Sequence, residues 1–200
     1  MTDHTVTDHA DDPQRRRLLL ATTAAGGIGV LATALPFLES MEPSEAARAA
    51  GAPIDVDVSG IAPGKLETVE WRGKPIWVVH RTEAMLTELG KHDQLLVDPA
   101  SREDQQPYYA ANPGRAIRPP FFIAIGICTH LGCVPVYRPD AGAADLGANW
   151  PGGFYCPCHG SRFDLAGRVF KNVPAPRNLE VPRYMYLSET KLRIGEDKQG

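Results

Sequence analysis

The sequence holds four cysteines in 200 residues, and all four fall in two short stretches that each carry a histidine as well. The first reads CTHLGC, Cys128 to Cys133, and the second CPCHGSRFD, Cys156 to Asp164. Thiolates and imidazoles are metal ligands, and thiols also pair with one another as disulfides. A tetrahedral zinc site would take two sulfurs and two imidazoles. Cys-x-His at 128–130 is shorter than the usual C-x₂₋₄-C and H-x₃₋₅-H spacings of structural zinc, and zinc would leave two cysteines without a role. Two disulfides would use every sulfur and leave His130 and His159 idle. The spacing favours an arrangement that uses all six side chains.

CTHLGC with CPCHGS resembles the Rieske iron–sulfur family, in particular its disulfide-bearing branch in quinol–cytochrome c reductases. The resemblance implies one 2Fe-2S cluster, with Cys128 and Cys156 on one iron and His130 and His159 on the other. It also implies a Cys133–Cys158 disulfide that clamps the two loops. Replacing two thiolates by neutral imidazoles makes a cluster less negative. Rieske potentials accordingly run from about −150 to +300 mV, against about −400 mV for the all-cysteine plant type. A centre in that range can accept electrons from a quinol. In the family the second-loop histidine, here His159, hydrogen-bonds the quinol, and a ligand imidazole couples electron and proton uptake. His80 and His92 lack any such context and are assigned no function, and His4 and His9 lie in the polar N-terminal tail.

Donors to sulfur tune such a centre, since each stabilises the added electron. Ser161 stands where the family has a hydroxyl donating to a bridging sulfide. Phe163 stands where many members carry a tyrosine that donates to a ligand cysteine, so a lower potential is expected than in a matched tyrosine version. NVPAPRN, Asn172 to Asn178, resembles the loop that covers the cluster, stiffened by Pro174 and Pro176. Family members often have glycine where Val173 sits, so a backbone difference is expected there. Leu131 is read either as an exposed apolar tip that docks on a partner or as a core leucine.

These loops need a scaffold, and the surrounding pattern is mostly β. IDVDV from Ile54 alternates as a half-buried strand, and PIWVVH, Pro75 to His80, is a second strand. TEAMLTELG suggests a short helix with Thr82 as N-cap and Gly90 as stop. PPFFIAIGI is a buried strand delivering the chain to Cys128, and LEVPRYMYLSETKLRIG ends in a hairpin turning near Ser188. Eighteen prolines and nineteen glycines suit short strands and many turns. The expected class is mainly β: an antiparallel β-sandwich Rieske head with inserted cluster-binding loops, plus one N-terminal transmembrane helix.

Upstream, Arg15, Arg16 and Arg17 precede an apolar run from Leu18 to Leu38 that contains no charge. The run has the length of a bilayer's hydrocarbon, about 30 Å. The arginines resemble the twin-arginine export signal of bacteria. Cleavage near ARA, Ala47 to Ala49, is the alternative, but the run exceeds the roughly 7–15-residue core of a cleaved signal. The expected organisation is a disordered cytoplasmic tail at 1–14, a signal-anchor helix at 15–40, a flexible tether at 41–53 and the head at 54–200. The positive flank places the N-terminus in the cytoplasm and the head in the periplasm of a bacterial inner membrane.

A formal charge of −3 gives no reason to expect a nucleic-acid partner. The resemblance implies an electron-transfer subunit of a dimeric cytochrome bc-type complex, a quinol–cytochrome c oxidoreductase that translocates protons. Its partners would be cytochrome b, a c-type cytochrome subunit and ubiquinol. The alternative is the Rieske small subunit of an arsenite-oxidase-like enzyme. Soluble Rieske ferredoxins and oxygenase components generally lack both the anchor and the partners Cys133 and Cys158, and a zinc-stabilised binding module would be colourless.

Overall fold

The computed structural model describes residues 13–198. The tail expected at 1–14, with His4 and His9, therefore lies almost wholly outside the described residues. The chain divides into two units, residues 1–49 and 50–200.

In the first unit, α1 is one helix, Pro13–Ser40, with Pro36 inside its last turns and no buried side chain. By length and composition it is sufficient to cross a membrane, with a mean hydropathy of 1.9 over its most apolar window. Its hydroxyls are satisfied within the helix. Thr22 and Thr23 donate back to the carbonyls of Leu18 and Leu19, and Thr33 to those of Gly29 and Val30. Such back-bonding lets polar side chains sit in an apolar medium. A second helix, α2 (Glu45–Ala50), follows in the stretch read as a tether and ends at the boundary between the units.

The second unit is antiparallel β throughout, as expected, with its strands shared among three three-stranded sheets. β1 (Ile54–Asp57) pairs with β9 (Lys191–Ile194), which also pairs with β8 (Tyr184–Tyr186). The register sets Ile54 opposite Ile194 and Val56 opposite Leu192, so one ladder joins the beginning of the head to its end. The β8–β9 hairpin turns at Ser188, as expected, with the Leu187 and Ser188 N–H groups donating to the Lys191 carbonyl. β2 (Leu66–Trp71), β3 (Lys74–His80) and β4 (Phe121–Ile125) form the second sheet. Between β3 and β4, α3 (Glu83–Leu89) begins as expected, with Met85 N–H donating to the Thr82 hydroxyl, and is stopped at Gly90. β5 (Val136–Arg138), β6 (Gly153–Cys156) and β7 (Ser161–Phe163) form the third sheet.

The core draws on all three sheets, with Val56, Tyr184, Leu192 and Ile194 of the first joining buried residues of the other two. Ile76, Val78 and Val79 of β3 and Phe122, Ile123 and Ala124 of β4 are completely buried. Trp77 of β3 stacks on Phe154 of β6 with ring centroids 4.8 Å apart. Offset aromatic pairs of this kind contribute about 0.5–1.5 kcal/mol beyond their burial. Gly126 follows directly: a Cβ there would come within 2.4 Å of the Trp77 ring. Only glycine lets the chain pass over that indole on its way to Cys128.

Candidate metal centre

Each Cys/His stretch is a turn at the end of a buried strand. β4 leads into 128–133, and β6 ends on Cys156 itself, paired across the hairpin with Ser161 of β7. The two turns close in the same way. Gly132 N–H donates to the Cys128 carbonyl at 3.0 Å, and Gly160 N–H to the Cys156 carbonyl at 2.9 Å. Both glycines have positive φ, 82° and 79°, which explains a glycine four residues after each of these cysteines.

The six side chains separate by chemistry. Cys133 and Cys158 are joined as a disulfide, while Cys128 and Cys156 are free and buried. The sulfurs of Cys133, Cys156 and Cys158 lie within 4.8 Å of one another. Two of those three belong to the disulfide and offer no thiolate, so the thiols able to bind metal are Cys156 and its neighbour Cys128. Burial pushes the Cys156 thiol up; the backbone N–H groups of Cys158 and His159 oppose that shift, and the nearby Cys128 adds to it. The rings of His130 and His159 meet edge to face at 4.8 Å on the solvent side, His130 half-buried and His159 exposed. Two thiols inside and two imidazoles outside are gathered at one tip.

A third segment completes the tip. Ala175, between Pro174 and Pro176, is buried, and its N–H donates to the Ser161 hydroxyl at 3.0 Å. Thr129 donates through its hydroxyl to the Arg177 carbonyl at 2.6 Å. The proline segment is thus bonded to both turns, and the disulfide bonds the turns to each other. Three loops are linked pairwise by three different contacts.

The Rieske [2Fe-2S] domain family matches residues 54–184, and the TAT signal of the ubiquinol–cytochrome c reductase Fe-S subunit matches residues 5–44. The ubiquinol–cytochrome c reductase iron-sulfur subunit of Allochromatium vinosum is 57% identical over 92% of this chain and 89% of its own. This chain belongs to the Rieske iron–sulfur subunits of ubiquinol–cytochrome c reductase. The corresponding subunit of Blastochloris viridis is 43% identical over 94% of this chain and 96% of its own. Among solved structures, a chain of a hyperthermophilic respiratory Complex III is similar at 27% identity and TM-score 0.48, covering 86% of this chain and 97% of that one.

The donor set fits the Rieske cluster. A mixed sulfur–nitrogen site needs two free thiols and two histidines converging, and the tip supplies them after the disulfide has removed the other two sulfurs. Ser161 is buried, and because its oxygen accepts from the Ala175 N–H, its own proton is left free to donate. Phe163 is completely buried and packs in the same core cluster as Cys128 and Cys156. Leu131 is 71% exposed, which decides for the apolar tip over the core leucine. His80 and His92 lie away from the tip in structural roles. His80 bonds the Ile61 carbonyl, and His92 lies 3.4 Å from Asp164 and stacks on Phe170.

The proline segment is entered through a special backbone position just before Val173. Asn172 has φ 61°, a left-handed conformation that asparagine tolerates, and Val173 packs against the core. Sequence reasoning also missed what holds the second turn from below. Asp164 is fully buried, accepting from the N–H groups of Ala166 and Arg168 and from the Arg168 guanidinium at 2.8 Å. Arg81 and Arg115, also buried, donate to the carbonyls of Leu165, Ala166 and Gly167. The signal available was Asp164 four residues before Arg168 across a glycine turn; nothing in the sequence singled out Arg81 or Arg115.

Proposed function

We propose that Cys128, His130, Cys156 and His159 hold the cluster, and that the head takes an electron from ubiquinol at cytochrome b for a c-type haem. The observation that carries this is the sorting of the six side chains at the tip. The disulfide withdraws Cys133 and Cys158, leaving two buried thiols and two solvent-side imidazoles. When bound, the cluster supplies a one-electron acceptor, and Cys₂His₂ ligation places it at about −150 to +300 mV, within reach of a quinol.

The residues around it divide the work. His159 is exposed, and its outer ring nitrogen accepts the quinol's hydrogen bond and then its proton. Leu131 and Val134, 71% and 54% exposed, present an apolar rim that docks on cytochrome b and keeps water from the hydrogen bond. The proline segment covers the buried side, held by Ser161 and Thr129. Ser161 favours the reduced state through its hydroxyl, and Phe163 withholds a second donor.

The subunit is anchored in a bacterial inner membrane by α1, with the arginines at 15–17 cytoplasmic and the head periplasmic. The tether lets the head travel between the two partners within a dimeric, proton-translocating complex. Iron analysis and EPR of the purified complex test this reading. Reduction should give a Rieske spectrum in a preparation that also contains b and c haems. Replacing Cys128, His130, Cys156 or His159 singly by alanine should each abolish it, while His80→Ala and His92→Ala retain it. A spectrum surviving Cys128→Ala, or association with a molybdenum subunit in place of the haems, would overturn it.

A further inference from the structure

The hairpin between β2 and β3 turns on two residues, Arg72 and Gly73, with φ of 54° and 68°. Positive φ at both central positions marks a type I′ turn, in which Asn-Gly or Gly-Gly is strongly preferred and arginine is disfavoured. The side chain of Arg72 explains its presence. Its Nε and one terminal nitrogen both donate to the Gly51 carbonyl, at 3.2 and 3.1 Å, and its guanidinium lies 4.5 Å from the centre of the Trp71 ring. The Trp71 indole N–H donates to the next carbonyl along, that of Ala52, at 2.9 Å. The indole has a fitted seat, since a Cβ on Gly195 would come within 2.6 Å of it.

The β1–β9 ladder begins only at Ile54. Among the described residues, 51–53 have no strand partner, and Gly51 would otherwise be conformationally free. We infer that Trp71 and Arg72 form a clamp that ends the tether at Ala50, acting as positioning residues for a head that must move as one body. This rests on the tethered-carrier reading above. Without the clamp, three further residues join the tether, adding up to about 10 Å of extended chain.

The test uses the full chain in membranes, with a nitroxide attached at Ala52→Cys and a control label at Ser188→Cys in the β8–β9 turn. Arg72→Asn restores the preferred turn residue and removes the two donations to Gly51; Trp71→Phe removes the donation to Ala52. In both variants the label at 52 should tumble several-fold faster, with the label at 188, the head's melting temperature and the cluster's midpoint potential unchanged. Arg72→Lys, which keeps a cation but loses the paired donation, should fall between. An immobile label in both variants overturns the clamp, as does mobility that appears only with a lowered melting temperature. These readouts are local, so they can fail while quinol turnover stands; loss of Rieske EPR or haem association would instead count against the tethered-carrier reading.

Discussion

Replacing Cys133 and Cys158 together by alanine isolates what the disulfide contributes to the tip. The bond closes a loop of 25 residues' separation. The chain-entropy relation for such a loop gives about 12 cal/mol/K, or about 3.5 kcal/mol at room temperature. Against a typical domain stability of about 5–15 kcal/mol that is a large fraction. The two remaining links of the tip, Thr129 to Arg177 and Ala175 to Ser161, are single hydrogen bonds worth about 0.5–1.5 kcal/mol each, so they cannot replace it. The double variant matters because a single replacement leaves a free thiol among sulfurs that lie within 4.8 Å, where it would compete for iron or exchange with Cys156. Urea unfolding followed by tryptophan fluorescence measures the global loss, and bleaching of visible absorption measures loss of the cluster. With an m-value of about 2 kcal/mol/M, the unfolding midpoint should fall by about 1.5–2 M. Bleaching should precede unfolding in the variant, because the loops separate before the sheets do. A midpoint shift below about 0.5 M would refute the loop-closure argument, given that m-value.

Phe163→Tyr should raise the midpoint potential in a redox titration monitored by EPR, because it places a hydroxyl beside the thiols in the same core; an unchanged potential removes Phe163 as a tuning position. Ser161→Ala should lower the potential and also cost about 1–3 kcal/mol in urea unfolding, since the buried Ala175 N–H loses its acceptor. Asp164→Asn should cost about 1.5–3 kcal/mol, because the buried Arg168 guanidinium loses its charge-assisted bond to Asp164 and keeps only the half-exposed Asp93 as a carboxylate partner. The pH dependence follows from the same site. Burial alone would raise the Asp164 carboxyl, but the His92 ring, the Arg168 guanidinium and the Arg168 N–H hold it below the ordinary 3.8. A depressed folded value means that this contribution is present in full above pH 3.8 and is lost as pH falls below it. The wild type should therefore lose more stability between neutral pH and acid than Asp164→Asn does, measured by thermal melting at each pH.

The parts of this protein legible in the sequence are those where one residue type has one physical use. Cysteine and histidine at fixed spacing gave the metal site, and an uncharged apolar run behind three arginines gave the anchor. β3 and β4 were legible because fully buried strands read as unbroken apolar runs. β2 was not, because Leu66 and Val69 fall on opposite faces of its two-residue repeat and each face also carries a glutamate. β5, β6 and β7, of three or four residues each, are too short to show alternation. Of the tip, the ligand candidates were visible and the links were not. Thr129 and Ala175 act through single hydrogen bonds to distant backbone, and no local pattern distinguishes them from any other threonine or alanine.

The buried arginines show why the illegible part exists. Loops that gather two thiols and two imidazoles at one tip cannot be strands, so the chain beneath them must turn irregularly inside the protein. Buried carbonyls without a ladder still need donors. The turn at 164–168 and its surroundings answer with guanidiniums. Arg81 donates to the carbonyls of Gly114, Pro119 and Leu165, Arg115 to those of Ala166, Gly167 and Leu179, and Arg168 to those of Leu89 and Pro99. A guanidinium carries five donors in a fixed plane and so can serve several carbonyls at once, which an ammonium on a flexible stem does less well. Burial lowers Arg81 and Arg115 only to about 10, so both remain charged at any working pH. Three arginines thus do for an irregular segment what a neighbouring strand does for a regular one, and β7 ends on a fixed base. On that base Ser161 meets Ala175, and the second turn holds Cys156 and His159 opposite the first.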